Sequence, residues 1–383
     1  MAGNHIGQAL SIMTFGESHG PAVGCVVDGC PAGVPLEVAQ IQAWLDRRRP
    51  AQNHLQSQRR ERDEARLLSG VYEGRTLGTP ICVVVDNHDA RSSDYASWQG
   101  LWRPGHADMT WQLRYGHRDP RGGGRASARE TVGRVAAAAI AEAVLSQWAR
   151  VHGQPAPQVI AWVQQVATVR ADAPAVAATL PGHSGGHAID PLQLTRAEVD
   201  ASPVRCPDAT ASAAMIAAIE DARRDRDTLG GIVRCVVRDL PAGLGDPVFD
   251  KLTGLLGHHL GSLPAFRGLQ VGEGFGAVHL RGSEHNDPFA AGEGAPRLAS
   301  NHHGGVLGGI TSGAPLVIEV AFKPVATVPQ AQMASDPEGR VSPLTVTGRH
   351  DPCVLPRAVP MVEAAVTLAL ADLALRPSAR LPS

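Results

Sequence analysis

Gly122-Gly123-Gly124-Arg125-Ala126-Ser127-Ala128-Arg129-Glu130-Thr131 runs without a break into Val132, Val135, Ala136, Ala139, Ile140, Ala143 and Val144, which are spaced as one face of a helix. That spacing predicts a buried, alanine-rich helix ending near Arg150. Ser127, with Glu130 three residues on, has the spacing of a capping box. A glycine loop feeding a helix N-terminus offers free N–H donors and the positive end of the macrodipole, and both favour an anion. Working outward, Arg103, Arg118, Arg121, Arg125 and Arg129 gather five guanidinium groups around the three glycines. So many like charges repel unless something offsets them, and only Asp108, Asp119 and Glu130 lie close in sequence. The economical reading is a site for a phosphorylated or multiply carboxylated small molecule.

The rest of the composition makes that cluster local. The 383 residues carry a formal net charge of −2, which argues against a nucleic-acid partner or a membrane surface, and 43% hydrophobic content is enough for one large core or two medium ones. No run of about 18 uninterrupted apolar residues is present, and the first residues lack a signal-peptide layout, so a cytoplasmic protein is expected. Cys25, Cys30, Cys82, Cys206, Cys235 and Cys353 form no C-x-x-C pair, which disfavours zinc and redox motifs and suits free buried thiols. The 42 glycines and 29 prolines predict many tight turns and close backbone packing.

Along the chain, two strands flank a turn at Phe15 to Pro21, and a helix opening at Pro35-Leu36 ends at Asp46-Arg47-Arg48-Arg49-Pro50. The polar stretch from Ala51 to Arg66 reads as a mobile surface loop. Strands follow near Leu67 to Tyr72 and Thr79 to Val85, and a strand from Gln158 follows the alanine-rich helix. A second half starts near Gly230, with a strand at Gly231 to Val237, a helix from Val248 to Leu260 and a glycine loop from Gly304 to Gly313. A strand at Pro315 to Phe322 and a helix from Pro360 to Leu375 complete it. Both halves, about 1–150 and 230–375, run strands and then a long apolar helix, which suggests a two-fold α+β architecture with the helices inside.

His19 and His106 lie in glycine-flanked turns, Glu17-Ser18-His19-Gly20 and Gly105-His106-Ala107-Asp108, where an imidazole can act as acid or base near neutrality. Asp351, beside Arg349 and His350, is a third proton-transfer candidate. No Walker loop, no H-E-x-x-H and no G-x-G-x-x-G between strand and helix is present, which disfavours ATP, zinc and ordinary nicotinamide folds. Residues alone thus point to an enzyme acting on a small polyanion, with a second phosphate-bearing ligand at the glycine loop of residues 304–313.

Six motifs taken together resemble the chorismate synthase family: Gly16 to Gly20, Asp46 to Pro50, Arg103 to Asp108, Arg125 to Thr131, Asn301 to Gly313, and Gly348 to Asp351. They occur in one register from Gly3 to about Leu375. The resemblance implies a single α+β domain over residues 1–383, with long helices sandwiched between antiparallel sheets, assembled as a homotetramer. It implies 1,4-elimination of phosphate from 5-enolpyruvylshikimate 3-phosphate to give chorismate, with reduced FMN, the reductant being NADPH or a separate flavin reductase. It places Arg48, His54, Arg103, Arg129 and Arg349 on the substrate. It places Arg125, Ala126, Ser127, Pro264, Ala265, Gly308, Lys323, Pro324, Val325, Ala326, Thr327 and Arg349 on the flavin. By the same resemblance His19 assists phosphate departure, His106 protonates or hydrogen-bonds the flavin, and Asp351 helps remove the proton. No metal is implied.

The chain departs from the family pattern at four places. His54 replaces an arginine, Pro264 an asparagine, Val325-Ala326 a Thr-Ser pair, and Ser11 an arginine. Proline cannot donate a backbone hydrogen bond, and histidine is only partly charged at neutral pH. Two rival readings follow: a paralogue running the same elimination on a related cyclohexene phosphate, and a flavin- or anion-binding protein without turnover. The presence of His19, His106 and Asp351 together speaks against the second.

Overall fold

Gly133, in the first turn of the alanine-rich helix, lies so close to the Gly24 backbone that a Cβ there would come within 2.5 Å of the Gly24 carbonyl oxygen. In the computed structural model, which describes residues 3–53, 55, 61–88, 100–183, 186–291, 296–346 and 351–377, this helix spans Thr131–Val151 and is buried on most of its circumference. Its small side chains let it pack directly on the first sheet. That sheet runs His5–Ile6, Ser11–Phe15, Ala22–Asp28, Ile81–Asp86, Arg66–Leu67, with every neighbouring pair antiparallel. Alternate residues Val23, Cys25 and Val27 of its central strand are buried, as the two-residue side-chain period requires.

The second sheet runs Phe266–Val271, Leu316–Phe322, Gly231–Arg238, Gln158–Val166, Val169–Arg170, again antiparallel throughout. The C-terminal helix, Leu355–Leu375, packs on two of its strands and on the alanine-rich helix, while the first helix, Val38–Arg48, rests against both long helices. One apolar core runs continuously from Leu10 to Ala374. The class is α+β, as the residue pattern predicts.

Several local expectations need correction. The C-terminal helix begins at Leu355 and carries Pro360 inside it. Proline there has no N–H for the carbonyl of Pro356, and the Arg205 guanidinium donates to that carbonyl instead. By length and composition this helix could cross a membrane, yet nearly all of it is buried inside the protein and it carries Glu363 and Asp372 in the core. Glu363 accepts from Arg47 and from the Ala161 backbone, and Asp372 accepts from the backbone N–H groups of Gln8, Ala9 and Leu10.

The capping box at Ser127 does not form. Ser127 Oγ accepts from Arg129 N at 3.2 Å and caps a short 3-10 turn, Ala128–Glu130. Glu130 turns away to Thr14 Oγ1 at 2.7 Å and Arg134 Nε at 3.0 Å. The helices expected from Pro35 and Val248 start at Val38 and Leu252. The largest difference lies between Ala51 and Arg66: Leu55, Glu61 and Asp63 are buried while Arg62 and Glu64 between and beside them are exposed, so the described part of this stretch is anchored into the protein.

Candidate active site

A cavity of about 1390 Å³ opens where the first sheet, the loops between residues 103 and 129, the end of the second sheet and the start of the C-terminal helix meet. All five loop arginines are already engaged by carboxylates or carbonyls around it. Arg103 grips Asp108 bidentately, Nε to Oδ2 at 2.8 Å and Nη2 to Oδ1 at 2.9 Å, and also donates to the Gly122 carbonyl. Burial works to raise the Asp108 carboxyl, but its bonds to Arg103 hold it below the ordinary range. Arg118 stands 3.5 Å from the same carboxylate. Arg125 clamps the end of the Ser11–Phe15 strand through Thr14 Oγ1 at 2.7 Å and the Thr14 and Gly16 carbonyls. Arg121 pairs with Asp119 nearer the solvent.

Arg48 and Arg129 share a partner that sequence proximity did not offer. Arg48 is fully buried and donates from Nη1 to Asp63 at 3.1 Å, from Nη2 to the Ala128 carbonyl at 2.6 Å and from Nε to Thr131 Oγ1 at 3.2 Å. Arg129 bonds the other Asp63 oxygen and Asn87 Oδ1. Burial and then Arg357 push Arg48 down to about 9, against the opposing pull of Asp63. Burial would raise Asp63, but Arg48 and Arg129 hold it below the ordinary carboxylate range.

The three proton-transfer candidates all reach the cavity. His19 Nδ1 lies 3.1 Å from Ser18 Oγ. Below it Gly122, at φ +72°, leaves room that a side chain would take, since a Cβ would meet Nδ1 at 2.5 Å. His106 Nε2 lies 2.7 Å from Thr327 Oγ1. Asp351 bonds Arg357 Nη1 at 2.5 Å. Lys323 Nζ donates to the Gly105 carbonyl at 2.8 Å, and burial followed by Arg267 pushes its ammonium down. Ala126, Ser127, Pro264, Ala265, Pro324, Val325 and Ala326 complete a largely apolar wall, with Ala265 in the left-handed region at φ +64°.

The cavity thus brings together sixteen of the residues expected from the resemblance, counted from those that line it. Gly308 is not among them: it turns the hairpin between Val306–Leu307 and Ile310–Thr311. His54 and Arg349 lie outside the described residues. Asp63, Glu61 and Arg357 also line or brace the site, and residue reasoning missed them. For Arg357 a signal existed, the lone cation of a mostly apolar helix. For Asp63 none did, because it sits in a run of alternating charges.

Comparison with known proteins agrees with this geometry. A family model described as chorismate synthase matches residues 10–375. Curated proteins named chorismate synthase from Chloroflexus aggregans and from Synechococcus sp. (strain JA-3-3Ab) are 48% and 50% identical over 377 and 374 residues. Those alignments cover 98% of this chain in both cases, and 96% and 93% of the relatives. A solved structure titled as the crystal structure of chorismate synthase superposes with a TM-score of 0.71 at 26% identity, covering 96% of this chain and 92% of that one. With a family match over nearly its whole length and relatives at about half identity, the chain belongs to the chorismate synthase family.

Proposed function

We propose that the protein catalyses the 1,4-elimination of phosphate from 5-enolpyruvylshikimate 3-phosphate, giving chorismate, with reduced FMN as cofactor. The observation that carries this reading is the convergence of His19, His106 and Asp351 on one arginine-walled cavity in a chain of this family. The cavity, at about 1390 Å³, exceeds the roughly 300–1,000 Å³ of a typical single-ligand pocket. It therefore has room for substrate and flavin side by side. The substrate carries one phosphate and two carboxylates, the groups that guanidinium forks recognise. Arg48, Arg103 and Arg129, with His54 and Arg349, take those anions.

The wall also suits a flavin. Ala126, Pro264, Ala265, Val325 and Ala326 offer small apolar contacts to a flat ring, while Arg125, Ser127, Lys323 and Thr327 offer donors for its phosphate and polar edge. Pro324 shapes the same strip, and Arg349 joins the flavin contacts. When bound, reduced flavin supplies the electron-rich partner that this redox-neutral elimination requires. His19, backed by Ser18, delivers a proton to the departing phosphate. Asp351, steadied by Arg357, takes the proton from carbon, so that one C–H and one C–O bond break as one double bond forms. His106, oriented by Thr327, would protonate or hydrogen-bond the flavin.

The same reading includes a single domain over residues 1–383 with two similar halves and the long helices sandwiched between the sheets, a cytoplasmic location, and a homotetramer. The strongly exposed Phe249, Phe275 and Phe289 support further burial by other copies. Flavin reduction comes from NADPH or a separate reductase. Pro264 in the cavity wall favours one second reading, a paralogue acting on a related cyclohexene phosphate. Anaerobic incubation with reduced FMN and 5-enolpyruvylshikimate 3-phosphate tests both. Equal release of phosphate and chorismate supports the first reading, and turnover of only a related cyclohexene phosphate supports the second. Flavin binding without turnover of either defeats both.

A further inference from the structure

Asp63 reaches two cavity arginines from an uncommon backbone conformation. Its side chain is fully enclosed, one carboxylate oxygen bonding Arg48 and the other Arg129. Its φ of +51° lies in the left-handed region, which is uncommon for a non-glycine residue although aspartate tolerates it better than most. Gln42, on the first helix, donates from Nε2 to the Asp63 carbonyl at 3.2 Å and accepts from Ala65 N at 2.9 Å, stapling the stretch from both sides of Glu64.

The bonds close a ring. Arg48 is tied through its other nitrogens to the Ala128 carbonyl and Thr131 Oγ1, which flank Arg129 in the chain, and Arg129 returns to Asp63. Two guanidinium groups held this close repel each other, and without a bridging anion only the bonds of Arg48 to Ala128 and Thr131 and of Arg129 to Asn87 would resist that repulsion. We propose that Asp63 is a positioning residue for the reaction: it fixes Arg48 and Arg129 at the separation the substrate's anionic groups require, without touching the substrate itself. This rests on the reading above that the two arginines receive the substrate.

A bridge that sets geometry and one that merely neutralises charge have different signatures. With Asp63→Asn the shape is kept and the charge is lost, so the freed guanidiniums still attract the anion but hold it imprecisely. Misplacement of about 1 Å is enough to cost on the order of 100-fold in rate. The expected result is a kcat lower by about 10- to 100-fold, with the substrate Kd, measured by calorimetry without flavin, within about threefold of wild type or tighter. Gln42→Ala leaves every charge in place and loosens only the staple, so kcat falls at unchanged Kd. Wild-type kcat in folded Asp63→Asn, or weaker binding at unchanged kcat, overturns the proposal. If Asp63→Asn does not fold, Gln42→Ala carries the test, and a wild-type kcat there overturns the proposal. Absence of substrate binding by the wild-type protein overturns the assignment of Arg48 and Arg129 to the substrate, and the role of Asp63 with it.

Discussion

His106 Nε2 and Thr327 Oγ1 stand 2.7 Å apart across 221 residues of chain, so the imidazole offered by the first half is oriented from the second. Thr327→Val keeps the shape and removes the hydroxyl. A net hydrogen bond is worth about 0.5–1.5 kcal/mol, so kcat should fall roughly twofold to tenfold with little change in Tm. His106→Ala should lose about 10²-fold or more, the usual contribution of a general acid or base. Steady-state rates under anaerobic conditions check both, and wild-type turnover in Thr327→Val would remove Thr327 from the mechanism.

Gly122 and His19 give a second, separable prediction. Alanine at position 122 meets the imidazole and also inherits a positive φ. The backbone strain alone is worth about 1–3 kcal/mol. Gly122→Ala should therefore lower Tm and also depress turnover. Adding His19→Ala should relieve the contact and recover part of the Tm but none of the activity. A double variant no more stable than Gly122→Ala alone would show that strain dominates and contact is negligible.

His259 sets a pH limit on stability. Burial pushes its imidazole from the ordinary 6.5 down to about 4, with Asp372 pulling the other way. Between those values the unfolded chain holds a proton that the folded chain does not, so stability is intact above about pH 6.5 and is lost as pH falls toward 4. The loss from this one group is at most roughly 3 kcal/mol. Urea unfolding at pH 7 and pH 4 should show a smaller difference for His259→Leu than for wild type. Equal differences would mean that His259 keeps an ordinary proton affinity in the fold.

Pro264, at a position where the resemblance leads one to expect asparagine, lies in the cavity wall. Pro264→Asn restores an amide, and one regained hydrogen bond to a charged group is worth about 1.5–3 kcal/mol at most, roughly tenfold to a hundredfold in affinity. Fluorescence titration should show tighter FMN binding. Unchanged or weaker binding favours a site tuned for a different ligand.

The fold and much of the site were legible in the sequence for a physical reason. Helical spacing after Gly124 and the alternating strands are local patterns, and six motifs in one register place His19, His106 and Asp351 without reference to distance. What stayed hidden depends on long-range charge pairing. Five arginines looked short of counterions because Glu61 and Asp63 arrive from some sixty residues away, inside a stretch whose composition matches solvated loop. The start of the C-terminal helix was hidden similarly, since Pro360 reads as a helix opening unless one knows that Arg205 takes the carbonyl it leaves open.

That substitution interrupts the backbone hydrogen-bond ladder of the C-terminal helix between its first turn and the rod beyond it. The amides of Arg357 and Ala358 both bond back to Val354, and the Pro356 carbonyl is held from outside the helix. The first turn, with the arginine that grips Asp351, can therefore open without melting the rod beyond it. In hydrogen exchange, Arg357 and Ala358 should follow local opening, while the deeply buried amides from Val362 onward exchange only when the whole core comes apart.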